Sequence, residues 1–123
     1  MRRLIAIVDD DESARDGLTN LMNSLGYDAM PYASGEEFMR SPDLGRTACL
    51  ITDLHMPGMT GLQLHQRLIK SGECIPTIFM TAFPDEAGQT DAAQAGVDCF
   101  LTKPIHEDGL LECVRRALNR DPS

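Results

Sequence analysis

Short apolar runs alternate along the chain with longer stretches whose apolar residues recur at helical spacing. That pattern predicts parallel strands joined by crossover helices. Leu4-Ile5-Ala6-Ile7-Val8 is a continuous β-prone run, as expected of a central strand covered on both faces (β1). Over residues 12–25 the residues Ala14, Leu18, Leu21, Met22 and Leu25 share one helical face, and Gly26 supplies the stop (α1). Residues 27–33 read as β2, and Ser34-Gly35-Glu36-Glu37 has the Ser-x-x-Glu form that opens a short helix, α2. Residues 48–52 form β3, ending at Asp53. A turn with Pro57, Gly58 and Gly61 then leads into α3, with Leu62, Leu68 and Ile69 inward and Gly72 as its stop. Residues 77–80 form β4, ending at Thr81. Residues 85–95 form α4, the loosest helix, because its apolar face is mostly alanine and Gly88 inside it costs about 1 kcal/mol relative to alanine. Residues 98–102 form β5, and Leu110, Leu111, Val114 and Leu118 line the inner face of α5.

Five strands and five helices in alternation predict an α/β fold: a doubly wound, five-stranded parallel sheet of order 2-1-3-4-5, a flavodoxin-like (βα)5 sandwich. Ligands of such sheets sit beyond the carboxyl ends of the strands, where the winding reverses. The 123 residues suit one domain, expected over 1–118, with 119–123 a terminus or the start of a linker.

Charge narrows the partners. Eleven basic against nineteen acidic residues give −8, which argues against sequence-independent binding to nucleic acid or to anionic membrane. The five-residue apolar run of β1 is far short of the roughly eighteen needed to span a membrane. Met1-Arg2-Arg3-Leu4 does not open a signal peptide, since that run ends in Asp9-Asp10-Asp11-Glu12. A cytoplasmic protein is expected. Cys49, Cys74, Cys99 and Cys113 are far apart, without a Cys-x-x-Cys pair, and read as reduced, half-buried thiols.

Every strand but the second ends in a group capable of chemistry: Asp9-Asp10 after β1, Asp53 after β3, Thr81 after β4, Lys103-Pro104 after β5. In the 2-1-3-4-5 order the three carboxylates converge, with Thr81 and Lys103 on the far wall. Carboxylates this close repel unless a cation intervenes, and oxygen donors suit a hard divalent ion such as Mg²⁺. Nine of the eleven basic residues are Arg, so a Lys at this strand end is a choice of a compact ammonium over a planar fork. A carboxylate nucleophile, a metal and an incoming dianion fit phosphoryl transfer to an aspartate.

Four motifs then appear in order: Ile7-Val8-Asp9-Asp10-Asp11, Asp53-Leu54-His55-Met56-Pro57-Gly58-Met59-Thr60-Gly61, Met80-Thr81-Ala82 and Lys103-Pro104. Through them the chain resembles the receiver domains of two-component response regulators. The segments 32–38 and Ala95-Gly96 look most like the nitrogen-fixation regulator type. The resemblance implies Asp53 as phosphoacceptor from a sensor histidine kinase. It implies Asp9, Asp10, Asp53 and the backbone carbonyl of His55 as ligands of Mg²⁺, for which Mn²⁺ or Ca²⁺ can substitute. Thr81 and Lys103 would contact the phosphoryl group, and Lys103–Pro104 would be cis. Thr81 and Phe100 would be switch residues, Phe100 through packing alone, while His55 and Phe83 would tune the phosphoryl lifetime. The α4-β5-α5 face would carry the readout, by homodimerisation or by release of an output domain, which would supply any DNA contact and control transcription.

Bland alternatives exist for each residue alone: Asp11 as a helix cap, His65 and His106 as exposed helical residues, the seven Met as core filler. A hydrolase of the haloacid dehalogenase type would carry a second Asp two residues after its nucleophile, where this chain has His55, and would need a cap domain. A module that has lost phosphorylation would not need the intact set. The expected role is a regulatory phosphoacceptor rather than an enzyme, working through a kinase and either an output domain or, as a stand-alone receiver, contacts with another protein.

Overall fold

The computed structural model describes residues 4–82 and 99–119. Its elements are β1 (Leu4–Val8), α1 (Glu12–Ser24), β2 (Asp28–Tyr32), α2 (Gly35–Met39), a 3₁₀ turn (Leu44–Arg46), β3 (Thr47–Asp53), α3 (Gly61–Lys70), β4 (Thr77–Thr81), β5 (Cys99–Thr102) and α5 (Glu107–Asn119). The strands form one parallel sheet of order β2-β1-β3-β4-β5, the expected doubly wound arrangement. Residues 85–95, assigned to α4 above, lie outside the described residues, as do Phe83, Gly88, Ala95-Gly96, Asp98 and the last four residues.

Alternation along the strands divides the core in two. Ile5, Ile7, Cys49, Ile51, Ile78 and Met80 point to one side, where Met22 of α1 and Leu110, Cys113, Val114 and Ala117 of α5 cover them. Ala6, Val8 and Leu50 point to the other, against Phe38 of α2 and Leu64 and Leu68 of α3. Both faces of β1 are therefore dry, and all five of its residues are buried. Each fully buried isoleucine contributes about 1.5–3 kcal/mol, enough for the central strands to hold polar side chains in fixed positions at their ends.

The turn chemistry follows the sequence with some changes. Gly26 and Gly72 take positive φ and end α1 and α3. Ser34 Oγ accepts from the Glu37 N–H at 3.1 Å, while the Glu37 carboxylate reaches Ala33 N rather than Ser34 N. A complete capping box also starts α3, with Thr60 and Gln63 bonding reciprocally. Asp11 occupies the cap position of α1 but makes no side-chain cap bond, so its expected capping role fails.

Four further expectations are corrected. Leu25 lies beyond the end of α1 and is exposed. The inner face of α3 is Gly61, Leu64, His65 and Leu68, spaced by three and four residues, which turns Ile69 to solvent and leaves Leu62 at the margin. His65, expected to be exposed, is buried on that face: its Nδ1 is 3.2 Å from Thr77 Oγ1 and its ring stands edge-on to Phe79. Nor are the cysteines four reduced thiols. Cys99 and Cys113 are joined as a disulfide with Cα atoms 6.0 Å apart, Cys49 is fully buried and Cys74 is exposed. Helix α5 packing back on β5 brings the pair together across 14 residues, an approach that spacing alone does not reveal.

Candidate phosphoacceptor site

Asp9 directly follows the buried end of β1, and its N–H donates to the Tyr32 carbonyl (3.2 Å), which extends the pairing with β2 by one residue. Its side chain is wholly buried. Oδ1 accepts from the Asp11 N–H at 2.9 Å and Oδ2 from Lys103 Nζ at 3.3 Å. Asp10, next along, is exposed. Asp53 ends β3 with 8% exposure; its Oδ1 accepts from the His55 N–H (2.9 Å) and its Oδ2 from Lys103 Nζ (2.7 Å). One carboxylate oxygen from each of Asp9, Asp10 and Asp53 lies within 4.8 Å of the others.

Lys103 enters from β5. Its N–H donates to the Thr81 carbonyl at 2.7 Å, carrying the β4–β5 pairing one residue past the strand, and its bond to Pro104 is cis, as expected. Thr81, fully buried, stands at the end of β4, and Asp53 pairs with its neighbour Met80. The site residues expected at the strand ends therefore share one rim of the sheet. Phe100 pairs with Phe79 in register and packs against the small Leu54–Phe79 cluster. His55 exposes its side chain while its N–H holds Asp53.

Two further residues shape the rim: Arg15, which sequence reasoning did not single out, and Gly61, the last residue of the motif that begins at Asp53. Arg15, about one turn into α1, donates from Nη1 to the Asp9 carbonyl at 2.9 Å and so ties helix to loop. Gly61 brings α3 against the end of β3, where its N–H donates to the Leu54 carbonyl (3.1 Å). A Cβ there would collide with the Asp53 carbonyl oxygen, so only glycine fits. An Arg at helical spacing from the acidic pair was the available signal for Arg15.

Electrostatics follow from burial. Desolvation raises the Asp9 carboxyl above its usual range, and the charge of Asp53 adds to this; the Asp11 N–H and the Lys103 charge oppose it without cancelling it. Burial pulls the Lys103 ammonium down, but the hydrogen bond and charge of Asp53, and then Asp9, hold it above its usual value. Three carboxylates against one ammonium leave two negative charges uncompensated when all are ionised. An all-oxygen donor set with excess negative charge suits a hard divalent cation.

Residues 5–115 match the response regulator receiver domain family, and the chain belongs to it. It is 38% identical over 121 residues to the response regulator protein TmoT of Ectopseudomonas mendocina, covering 97% of this chain and 54% of that protein. It is 33% identical over 114 residues to the transcriptional regulatory protein FixJ of Rhizobium meliloti, covering 92% of this chain and 55% of FixJ. The crystal structure of FixJ-N superposes with a TM-score of 0.89 at 29% identity, over 100% of this chain and 98% of that one. This chain thus spans about half the length of the curated relatives it matches. Among the described residues no helix is long and apolar enough to cross a membrane.

Proposed function

We propose that this receiver domain is a cytoplasmic phosphoacceptor switch in which Asp53 takes a phosphoryl group from the phosphohistidine of a sensor kinase. The observation that carries this reading is the ion pair of Lys103 Nζ with Asp53 Oδ2 at 2.7 Å, beside two further carboxylates. Lys103 also reaches Asp9 Oδ2, at 3.3 Å, so its shorter contact singles out Asp53 as the carboxylate it chiefly attends. A carboxylate oxygen of Asp53 forms the new O–P bond as the N–P bond of the donor breaks, and the departing imidazole retains the electron pair and takes up a proton.

Asp9, Asp10, Asp53 and the His55 carbonyl would hold Mg²⁺, with Mn²⁺ or Ca²⁺ as substitutes. The bound ion would neutralise the charge developing on the phosphoryl oxygens. The chain's own residues do the rest. The Asp11 N–H holds the Asp9 carboxylate and the Arg15 guanidinium holds the Asp9 carbonyl, which fixes the loop after β1. Lys103 moves from Asp53 to a phosphoryl oxygen, and the Thr81 hydroxyl turns to donate to another. That movement, with repacking of Phe100, is read out on the face of β5 and α5. A homodimer contact or the release of an output domain, most simply a transcription-controlling DNA-binding domain, follows. The chain turns over no substrate besides its own phosphoryl group, and residues 1–118 form the domain.

Acetyl phosphate with Mg²⁺, followed by intact mass, tests this. The wild type is expected to gain one phosphoryl group, to lose it in hydroxylamine and to gain none in EDTA. Asp53→Ala is expected to gain none, and equal uptake by that variant would overturn the assignment.

A further inference from the structure

The bond between Cys99 and Cys113 plays no part in the chemistry above, yet it closes a ring of chain that contains Lys103. Cys99 is the first residue of β5 and pairs with Ile78 of β4; Cys113 lies in the buried face of α5. Between them run Phe100, Lys103 and the cis Lys103–Pro104 bond. The ring thus joins the strand that delivers the site cation to the helix on the readout face. It closes while Lys103 is 2.7 Å from Asp53 Oδ2, the resting pair.

We propose that Cys99 and Cys113 form a reversible thiol–disulfide site whose oxidised form holds the β5–α5 flank in the resting arrangement and slows phosphorylation of Asp53. The coupling rests on the phosphoacceptor reading; the existence of the redox site does not. Where glutathione and thioredoxin keep thiols reduced, a disulfide is transient and reports oxidant. A low-molecular-weight disulfide such as oxidised glutathione supplies the oxidising equivalents. The half-buried Cys99, as thiolate, attacks one of its sulfurs, releasing one small thiol and leaving a mixed disulfide. The Cys113 thiolate then attacks Cys99 Sγ and releases the second small thiol. The protein gives up two electrons and two protons, and the small disulfide becomes two thiols. Cys113, 6% exposed, is sheltered from direct attack, which sets this order.

The bond is present together with the resting Lys103–Asp53 pair, and a bond more stable in that arrangement than in the phosphorylated one favours the resting state by the difference. Lys103 must leave Asp53 for a phosphoryl oxygen, and the ring ties its backbone to α5 as well as to the Thr81 carbonyl. The coupling is reciprocal, so the phosphorylated form is reduced more readily than the resting one.

The test equilibrates the chain in reduced or oxidised glutathione, alkylates a denatured sample and measures intact mass. The remainder is phosphorylated with acetyl phosphate and Mg²⁺. Oxidised chain is expected to take two alkyl groups, on Cys49 and Cys74, against four when reduced, and to yield a peptide linking Cys99 to Cys113. Its phosphorylation is expected to be at least about fivefold slower, the lower end of measured coupling factors. Cys113→Ala and Cys99→Ser are each expected to phosphorylate at one rate in both buffers. Full alkylation of Cys99 and Cys113 after oxidation, or a bond formed instead by Cys74, would overturn the redox site. A linked pair with equal rates in both buffers would overturn the coupling. Absence of phosphoryl uptake in both buffers would overturn the phosphoacceptor reading, and the coupling with it, while the alkylation result judges the redox site independently.

Discussion

The two flanks of the pocket are built differently. On one side β1 and β3 lie at the centre of the sheet, paired on both edges, and end in Asp9 and Asp53, side chains almost without access to water. On the other, β5 is an edge strand, half-buried through three residues and exposed at Thr102, and its contribution is one long flexible lysine. The acids are positioned by the core. The cation is positioned by a strand pairing that ends at the Thr81 carbonyl and by the acids themselves. For the switch proposed above, in which the carboxylates stay and the lysine changes partner, this asymmetry is an advantage, since weakly packed segments rearrange at least cost.

The sharpest way to break the rigid flank is Gly61→Ala. The added methyl would meet the backbone of Asp53 and Leu54, which cannot rotate away as a side chain could. A loss of about 3 kcal/mol in chemical denaturation is expected, at the upper end for overpacking. Gly17→Ala, where nothing stands near the new Cβ, is the matched control and is expected not to destabilise.

On the edge-strand flank Lys103→Met keeps the chain length and removes the charge. Phosphorylation by acetyl phosphate is expected to fall about 10²-fold, the usual consequence of removing one charge-stabilising group from a transition state. Lys103→Arg is not expected to restore it, because a planar fork cannot replace a point charge shared by two converging carboxylates. Full activity in Lys103→Arg would show that this flank supplies charge without geometry.

The same contrast explains what was legible in the sequence. The central strands announce themselves as continuous apolar runs, and the polar residue ending each run falls at the rim by topology alone, so Asp9, Asp53, Thr81 and Lys103 were found from pattern and motif. Burial of His65 was not, because a polar ring on an inner helical face looks like a surface residue until Thr77 is brought opposite it. Ile69 misled in the opposite sense, since an apolar residue one position off the stripe is turned to solvent. The Cys99–Cys113 approach depends on how α5 lies across the sheet, and local spacing carries no record of that. Arg15 donates from its guanidinium to the Asp9 backbone carbonyl, a contact that no motif position marks, whereas Gly61 was legible as a motif residue and its reason, the Asp53 carbonyl beside it, was not.

The smallest expected effect tests the cost of the rigid flank. The Asp9 carboxyl titrates higher in the folded chain than in the unfolded one, chiefly because it is buried. The folded state therefore holds that proton more tightly, and stability falls as pH rises from the ordinary carboxylate range through the raised value. Above that window the metal-free wild type carries the full penalty. Asp9→Asn keeps an oxygen to accept from the Asp11 N–H and removes the charge. It is expected to be more stable than the wild type by about 1 kcal/mol at pH 7, and the advantage should vanish at pH values below the ordinary carboxylate range. Lys103 adds a further loss only at alkaline pH. Its raised value means that the stability from its ion pairs is complete below the ordinary lysine range and is lost as pH climbs through the folded value, so it is constant across the window where Asp9 titrates. Adding Mg²⁺ at pH 7 should stabilise the wild type more than the variant and narrow or reverse the difference. Urea unfolding of both chains across pH, with and without Mg²⁺, measures this directly. A variant no more stable than the wild type at pH 7 would mean that Lys103 already compensates the buried charge and that the rigid flank is held without cost.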